Sequence, residues 1–197
     1  MPVSAWEQIS TRARSEDRIV GAAPYLYVVA RVPAASADAI VAGTDLNRVR
    51  GMSSWWKLEG RWPSAADEAL VGSDVARKLN IAPGGRFAVQ YGGNEQTFTA
   101  AGIVTAGGPE DNQIFTSLAR AQQLAGLDGR ISLVQLSVAG SGAQIRQVMN
   151  VLGAALPDAN VRPIPEFTTA EAQLAEKIRM LVGATVTLIL ALTVLGV

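Results

Sequence analysis

Two missing residue types define the chemistry open to this chain: among its 197 residues there is no Cys and no His. Disulfides, thiolate nucleophiles, imidazole bases, the usual zinc ligands and the Ser/His/Asp triad are excluded together. Serine and threonine are plentiful, but no G-x-S-x-G elbow occurs, and no G-x-x-x-x-G-K-[ST] or G-x-G-x-x-G loop joins a strand to a helix. What remains is a scatter of carboxylates and cations. Glu59, Asp67 and Glu68 stand close in sequence, where an acid/base pair is one reading and a solvated loop the simpler one. The run from Gly107 through Gly108, Pro109, Glu110 and Asp111 to Asn112 offers two carboxylates and an amide. It lacks the alternating ligands and closing Glu of an EF-hand loop, so a turn between subdomains fits it better than a calcium site. Lys57, Arg61 and Arg77 form a candidate anion site beside a helix that starts near Ser73. Trp55, Trp56 and Trp62 either fill a small core or present an aromatic patch to a partner or a membrane interface. The sequence assigns no catalytic, cofactor-binding or metal-ligating residue, no cofactor and no enzymatic activity.

Seventeen basic residues balance seventeen acidic ones, and no run of like charge stands out. No nucleic-acid footprint or acidic-lipid patch is implied, so partners are to be sought in shape and apolar surface. The N-terminus, MPVSAWEQIS, has no apolar h-region and is neither a signal peptide nor a span.

The elements that must hold these groups are short. Ser4 to Arg14 reads as a helix, with Ser4 as N-cap and Glu7 completing a capping box. In PYLYVVARV, Leu26, Val28, Ala30 and Val32 alternate with Tyr25, Tyr27, Val29 and Arg31, the pattern of a central strand with one fully buried face. ADAIVAG is a second strand, closed by Gly43, and the stretch from Thr44 to Trp62 reads as a short helix or loop followed by an irregular connection. Ala69 to Val71 is a brief strand, and Ser73 or Asp74 caps a helix with Val75, Ala76 and Leu79 on one face. Phe87, Val89 and Tyr91 lead into a loose hairpin turn at Gly92-Gly93-Asn94, with Thr97 to Val104 returning. Ile114-Phe115 is a strand, and Thr116 or Ser117 caps a helix through Leu124 with Gly126 at its C′ position. Ile131 to Val138, the amphipathic helix from Gly140 to Ala155 and a return strand at Val161-Arg162-Pro163 predict a βαβ unit. The first helix and strand resemble the last two-thirds of a matching unit whose first strand lies upstream of Met1.

The end of the chain reads differently. From Met180 to Val197 it runs MLVGATVTLILALTVLGV, without a charge, Asn, Gln or Pro, which meets the lower limit of roughly 17 residues for a helix crossing a bilayer. Before it, Leu174, Ile178, Leu181 and Val182 fall on one helical stripe, while Glu171, Glu176, Lys177 and Arg179 keep the other faces wet. A single helix starting in water and ending in lipid is predicted, and its stop at Val197 reads as a cut inside a membrane span. The expected fold is α+β: a split βαβ layer (1–32 and 110–165), an inserted β-rich lobe (33–109), and a stalk (166–197) running into the start of a transmembrane helix.

The order of several degenerate signals carries a resemblance over nearly the whole chain, from about Ile19 to Val197. Ala23-Pro24 precedes a strand, then come Gly43-Thr44-Asp45, Leu58-Glu59-Gly60-Arg61, Val71-Gly72 followed by Ala76 and Leu79, Gly85 before a hairpin, Gly102-Ile103, Asp111 and a charged helix entering an apolar span. This order resembles the MacB-like extracytoplasmic core domain of FtsX-like ABC transporter permeases. The resemblance implies a domain outside the cytoplasm, between the first and second of four transmembrane helices, in a cell-membrane protein. It also implies a cytoplasmic ABC ATPase as partner, a homodimer or heterodimer of permeases, and a periplasmic or cell-surface partner or substrate moved or signalled to by ATP-driven motion. The rival reading is a tail-anchored membrane protein with a cytoplasmic binding domain, because Lys177 and Arg179 flank the span on the domain side.

Overall fold

A computed structural model describes residues 1–155 and 160–163. The stalk and the span expected over 166–197 lie outside the described residues. Among the described helices none is long and apolar enough to cross a membrane.

The elements run α1 (Val3–Arg14), β1 (Ile19–Val32), β2 (Ala37–Thr44), α2 (Leu46–Met52), β3 (Lys57–Gly60), β4 (Glu68–Gly72), α3 (Ser73–Leu79), β5 (Arg86–Tyr91), β6 (Asn94–Thr105), β7 (Gln113–Ser117), α4 (Leu118–Ala125), β8 (Leu133–Val138) and α5 (Gly142–Ala155). All eight strands share one sheet. Six of them close on themselves in the order β1-β2-β7-β4-β6-β5, because β1 pairs with β2 on one edge and meets β5 through Arg31 and Gln90 on the other. The expected mixture of helices and strands is present, and the β-rich part is a small barrel.

Alternation along β1 explains the closure. Leu26, Val28, Ala30 and Val32 are buried and point into the barrel with Val41, Val71, Phe87, Val89, Phe98 and Ile114. Ala121 and Leu124 of α4 join that cluster, so one helix face fills the barrel. The chain can approach α4 this closely only at Gly43, where an added Cβ would overlap the Cβ of Ala121. The β5–β6 hairpin is tighter than the sequence suggests: Tyr91 pairs with Asn94 across Gly92 and Gly93, whose φ values of 54° and 90° are those of a type I′ turn.

The second, opposite face of the strands carries its own apolar layer. Tyr25, Ala42, Leu70, Val104 and Phe115 are buried there beneath Val49 of α2, with Trp56, Leu58 and Trp62 packed against them. Asp45 starts α2 by accepting from the amides of Asn47 and Arg48. Ser117 caps α4 through the Arg120 amide, and Gly126 ends it at φ 64°, as the sequence predicts.

Four elements depart from expectation. α1 begins at Val3, so Ser4 lies inside the first turn; Val3 instead donates to the Gly129 carbonyl at 2.8 Å, and Pro2 bridges Arg130. β3 is a strand where an irregular connection was expected, and it lies on β6 along Lys57–Gly60 opposite Thr105–Gly102. β7, placed with the α/β layer from sequence, joins the barrel between β2 and β4; it runs parallel to β2, a long-range pairing that local pattern cannot show. Asn160–Pro163 carries no strand. Arg162 donates to the Asn160 side chain at 3.0 Å, and Pro163 has no N–H for a ladder. The βαβ unit is therefore not closed among the described residues. β8 runs antiparallel to the first half of β1, from Ile19 opposite Val138 to Tyr25 opposite Leu133. α1 packs against β1, and Ile9, Ala13, Val148 and Leu152 of α1 and α5 are buried.

Candidate functional site

The outward face of the β1–β2 ladder is covered over one half and open over the other. On the covered half Tyr25 and Tyr27 stack with ring centroids 5.5 Å apart. Burial raises the Tyr25 phenol above its ordinary value, reinforced by Tyr27 and opposed by a hydrogen bond with Thr44. Burial, with the Glu110 charge second, pushes Tyr27 up to about 12. Both phenols are neutral hydrophobic bodies at physiological pH.

The open half begins one step along. Val29 lies opposite Ile40, and both are exposed, at 63% and 37%. Beside them a groove of about 210 Å³ runs between β2 and α3, lined by Ala39, Val75 and Leu79 and edged by Asp38, Lys78 and Asn112. Neither Asp38 nor Lys78 is in a salt bridge among the described residues, whereas Arg77 and Asp74 on the same helix pair at 3.0 Å. An apolar floor with one acid and one base at its rim suits a protein contact. Sequence reasoning passed over this site. The available signal was Val29, an aliphatic residue on the β1 face that otherwise carries Tyr25, Tyr27 and Arg31.

The residues singled out from sequence are placed as follows. Glu68 is buried at the start of β4, not in a solvated loop. Arg61 grips both its carboxylate oxygens, and the amides of Ser64 (2.8 Å) and Ala65 (3.1 Å) donate to Oε2. The Arg61 hydrogen bond, then that of the Ser64 amide, hold the Glu68 carboxyl well below the usual carboxylate range. Glu59 and Asp67 do not share this cluster, and every donor around Glu68 closes the 61–68 loop on itself. The anion site is not formed either: Arg61 is spent on Glu68 and Arg77 on Asp74, leaving Lys57 exposed on β3.

Asp111 is buried, and its two oxygens accept from the amides of Ala106 at 2.7 Å and Gly107 at 3.0 Å. The run from Gly107 to Asn112 is thus a turn locked by its own carboxylate. Among the described residues no group of three or more acidic side chains is placed to hold a metal. The tryptophans divide. Trp56 stacks on Trp62 at 6.3 Å and leans on Phe115 at 4.9 Å, with the Arg50 guanidinium 5.9 Å from the Trp62 ring centroid. Trp55 points outward, 59% exposed. Lys177 and Arg179 lie outside the described residues.

The comparisons with known proteins agree with one another. The family described as the MacB-like periplasmic core domain matches residues 1–155. Among solved structures, the periplasmic region of MacB from Actinobacillus actinomycetemcomitans superposes with a TM-score of 0.55 at 12% identity, over 79% of this chain and 74% of that one. The extracellular domain of the noncanonic ABC-type transporter YknZ from Gram-positive bacteria gives 0.53 at 15% identity, over 76% and 82%. At these identities the two likenesses are of fold. No curated protein sequence is a significant match.

Proposed function

This chain belongs to the MacB-like periplasmic core domain family, and from that premise we propose that it is the outer working part of an ABC permease, passing ATP-driven motion to an extracytoplasmic partner or substrate. The observation that carries the reading is the family match, which takes in every element from α1 to α5. The site supports it chemically. Arg61, Glu68 and Asp111 are consumed in holding loops, and the surface left open is apolar with a charged rim, a contact surface. Hydrolysis of ATP falls to a separate cytoplasmic ATPase, and this chain does no covalent chemistry of its own. Two permease chains stand together in the membrane, each with its outer domain on the extracytoplasmic side. The closed barrel, joined to the α/β part through the continuous strand β1, is a body stiff enough to pass on a displacement as a unit.

Topology is the direct test, and residues 1–197 contribute no cysteine of their own to it, so any cysteine elsewhere in the full-length protein is first replaced by Ser. A single Trp55→Cys substitution in the full-length protein is treated, in intact cells, with a maleimide that cannot cross the membrane. Labelling from outside is expected. Labelling only after lysis would sink the extracytoplasmic placement and restore the cytoplasmic, tail-anchored reading. The purified chain alone is also expected to hydrolyse no ATP.

A further inference from the structure

We propose that the groove between β2 and α3 is the face on which a second copy of this chain docks, around a two-fold axis close to Val29. Val29 sits near the centre of the β1–β2 ladder, directly opposite Ile40, and the two form an apolar cross-strand pair open to solvent. The other half of the same face is covered by α2 and the Trp56–Trp62 layer. An aliphatic pair at the centre of a ladder is a costly surface to leave in water, and a groove of about 210 Å³ lies against it.

The charges choose the occupant. One wall of the groove, β2, brings Asp38, and the other, α3, brings Lys78, and neither forms a salt bridge among the described residues. An apolar centre with one acid on one side and one base on the other is complementary to itself under a two-fold rotation. Asp38 of each copy then faces the partner's Lys78, and each Val29 reaches the lip of the partner's groove. The chain carries 17 basic and 17 acidic residues, so no net charge opposes association.

This surface rests on the reading of two permease chains side by side. Membrane anchoring raises their effective concentration to roughly the millimolar range. A patch smaller than the roughly 1,200 Å² that a free-standing complex buries then suffices.

The test uses the full-length permease in native membranes, with Val29→Cys as its only cysteine and Ala66→Cys, on an exposed loop, as control. Mild oxidation is expected to give a band of twice the chain's mass for Val29→Cys and not for Ala66→Cys. Adding Asp38→Lys is expected to lower the yield about tenfold, and adding Lys78→Asp to that variant to restore it. Equal cross-linking at both cysteines, a product with a protein of different mass, or a yield indifferent to the charge reversal would each overturn the proposal. Co-purification of the ATPase with the Val29→Cys protein reads the permease assignment separately. With the ATPase retained and no cross-link formed, the docking surface alone falls. If the ATPase is lost while the charge-reversal pattern persists, the surface stands without the permease reading.

Discussion

Replacing Trp56 by Ala tests whether the outer apolar layer holds the strands together or merely decorates them. Trp56 touches two rings, Phe115 at 4.9 Å and Trp62 at 6.3 Å, and aromatic pairs of this kind contribute about 0.5–1.5 kcal/mol each beyond burial. A buried Trp replaced by Ala costs about 3–5 kcal/mol, and the half-buried position of Trp56 scales that down. Trp56 also carries a buried indole N–H without a hydrogen-bond partner, a small penalty that truncation relieves. The balance predicts a loss of about 2–3 kcal/mol, which for a domain of this size lowers Tm by roughly 4–12 °C. Trp56→Phe keeps a ring on Phe115 and discards the orphaned N–H, so it is expected to lose less than half as much. Urea titration of the chain followed by far-UV circular dichroism measures both, and adding Phe115→Leu to each closes a cycle in which about 0.5–1.5 kcal/mol of coupling is expected. A Trp56→Ala loss below about 1 kcal/mol, or no coupling to Phe115, would refute the reasoning.

Two further outcomes follow from single contacts. Because the folded-state pKa of Glu68 is depressed by Arg61 and the Ser64 amide, its contribution is fully present above the ordinary carboxylate range and lost as pH falls through and below it. The gap in urea midpoint between wild type and Glu68→Gln should therefore be widest near neutral pH and narrow below about pH 4. A constant gap would show that the clamp has no ionic component. Gly43→Ala places a methyl on Ala121 and is expected to cost about 1–3 kcal/mol. Adding Ala121→Gly should recover part of it in the same titration, and a double variant no better than the single one would mean that α4 is held elsewhere.

Legibility of the fold followed the reach of each signal. The buried face of β1, the cap and C′ glycine of α4 and the β5–β6 hairpin depend on residues within a turn of one another, and the sequence shows them. The parallel pairing of β7 with β2 joins Ile40 to Gln113, and no local pattern distinguishes it from a strand of a neighbouring layer. The conspicuous charges misled in one direction. Arg61 and Glu68 are seven apart in sequence and look like surface residues, yet they close a loop on each other, which left the anion site without its central cation. The groove was hidden for the opposite reason: alternation puts Val29 on the face of Tyr25 and Tyr27, but only the packing of α2 and the Trp56–Trp62 layer shows which half of that face is left open. The order of weak motifs that resembles the permease family was informative because order survives where individual contacts do not.

Strand β1 also dictates a timetable. Its second half, from Tyr25, pairs with β2 a few residues downstream, but its first half waits for β8, so that Ile19–Pro24 finds its partner only when Val134–Val138 has been made. Closing so long a loop is slow relative to a hairpin. During synthesis the barrel end of β1 can be sealed early while its other end stays an unpaired apolar edge, exposed to proteases and chaperones until the last quarter of the domain arrives. Pulse-labelled hydrogen exchange should divide this one strand into an early half and a late half, with the break near Tyr27, where the amide finds only the Ser132 hydroxyl at 3.0 Å.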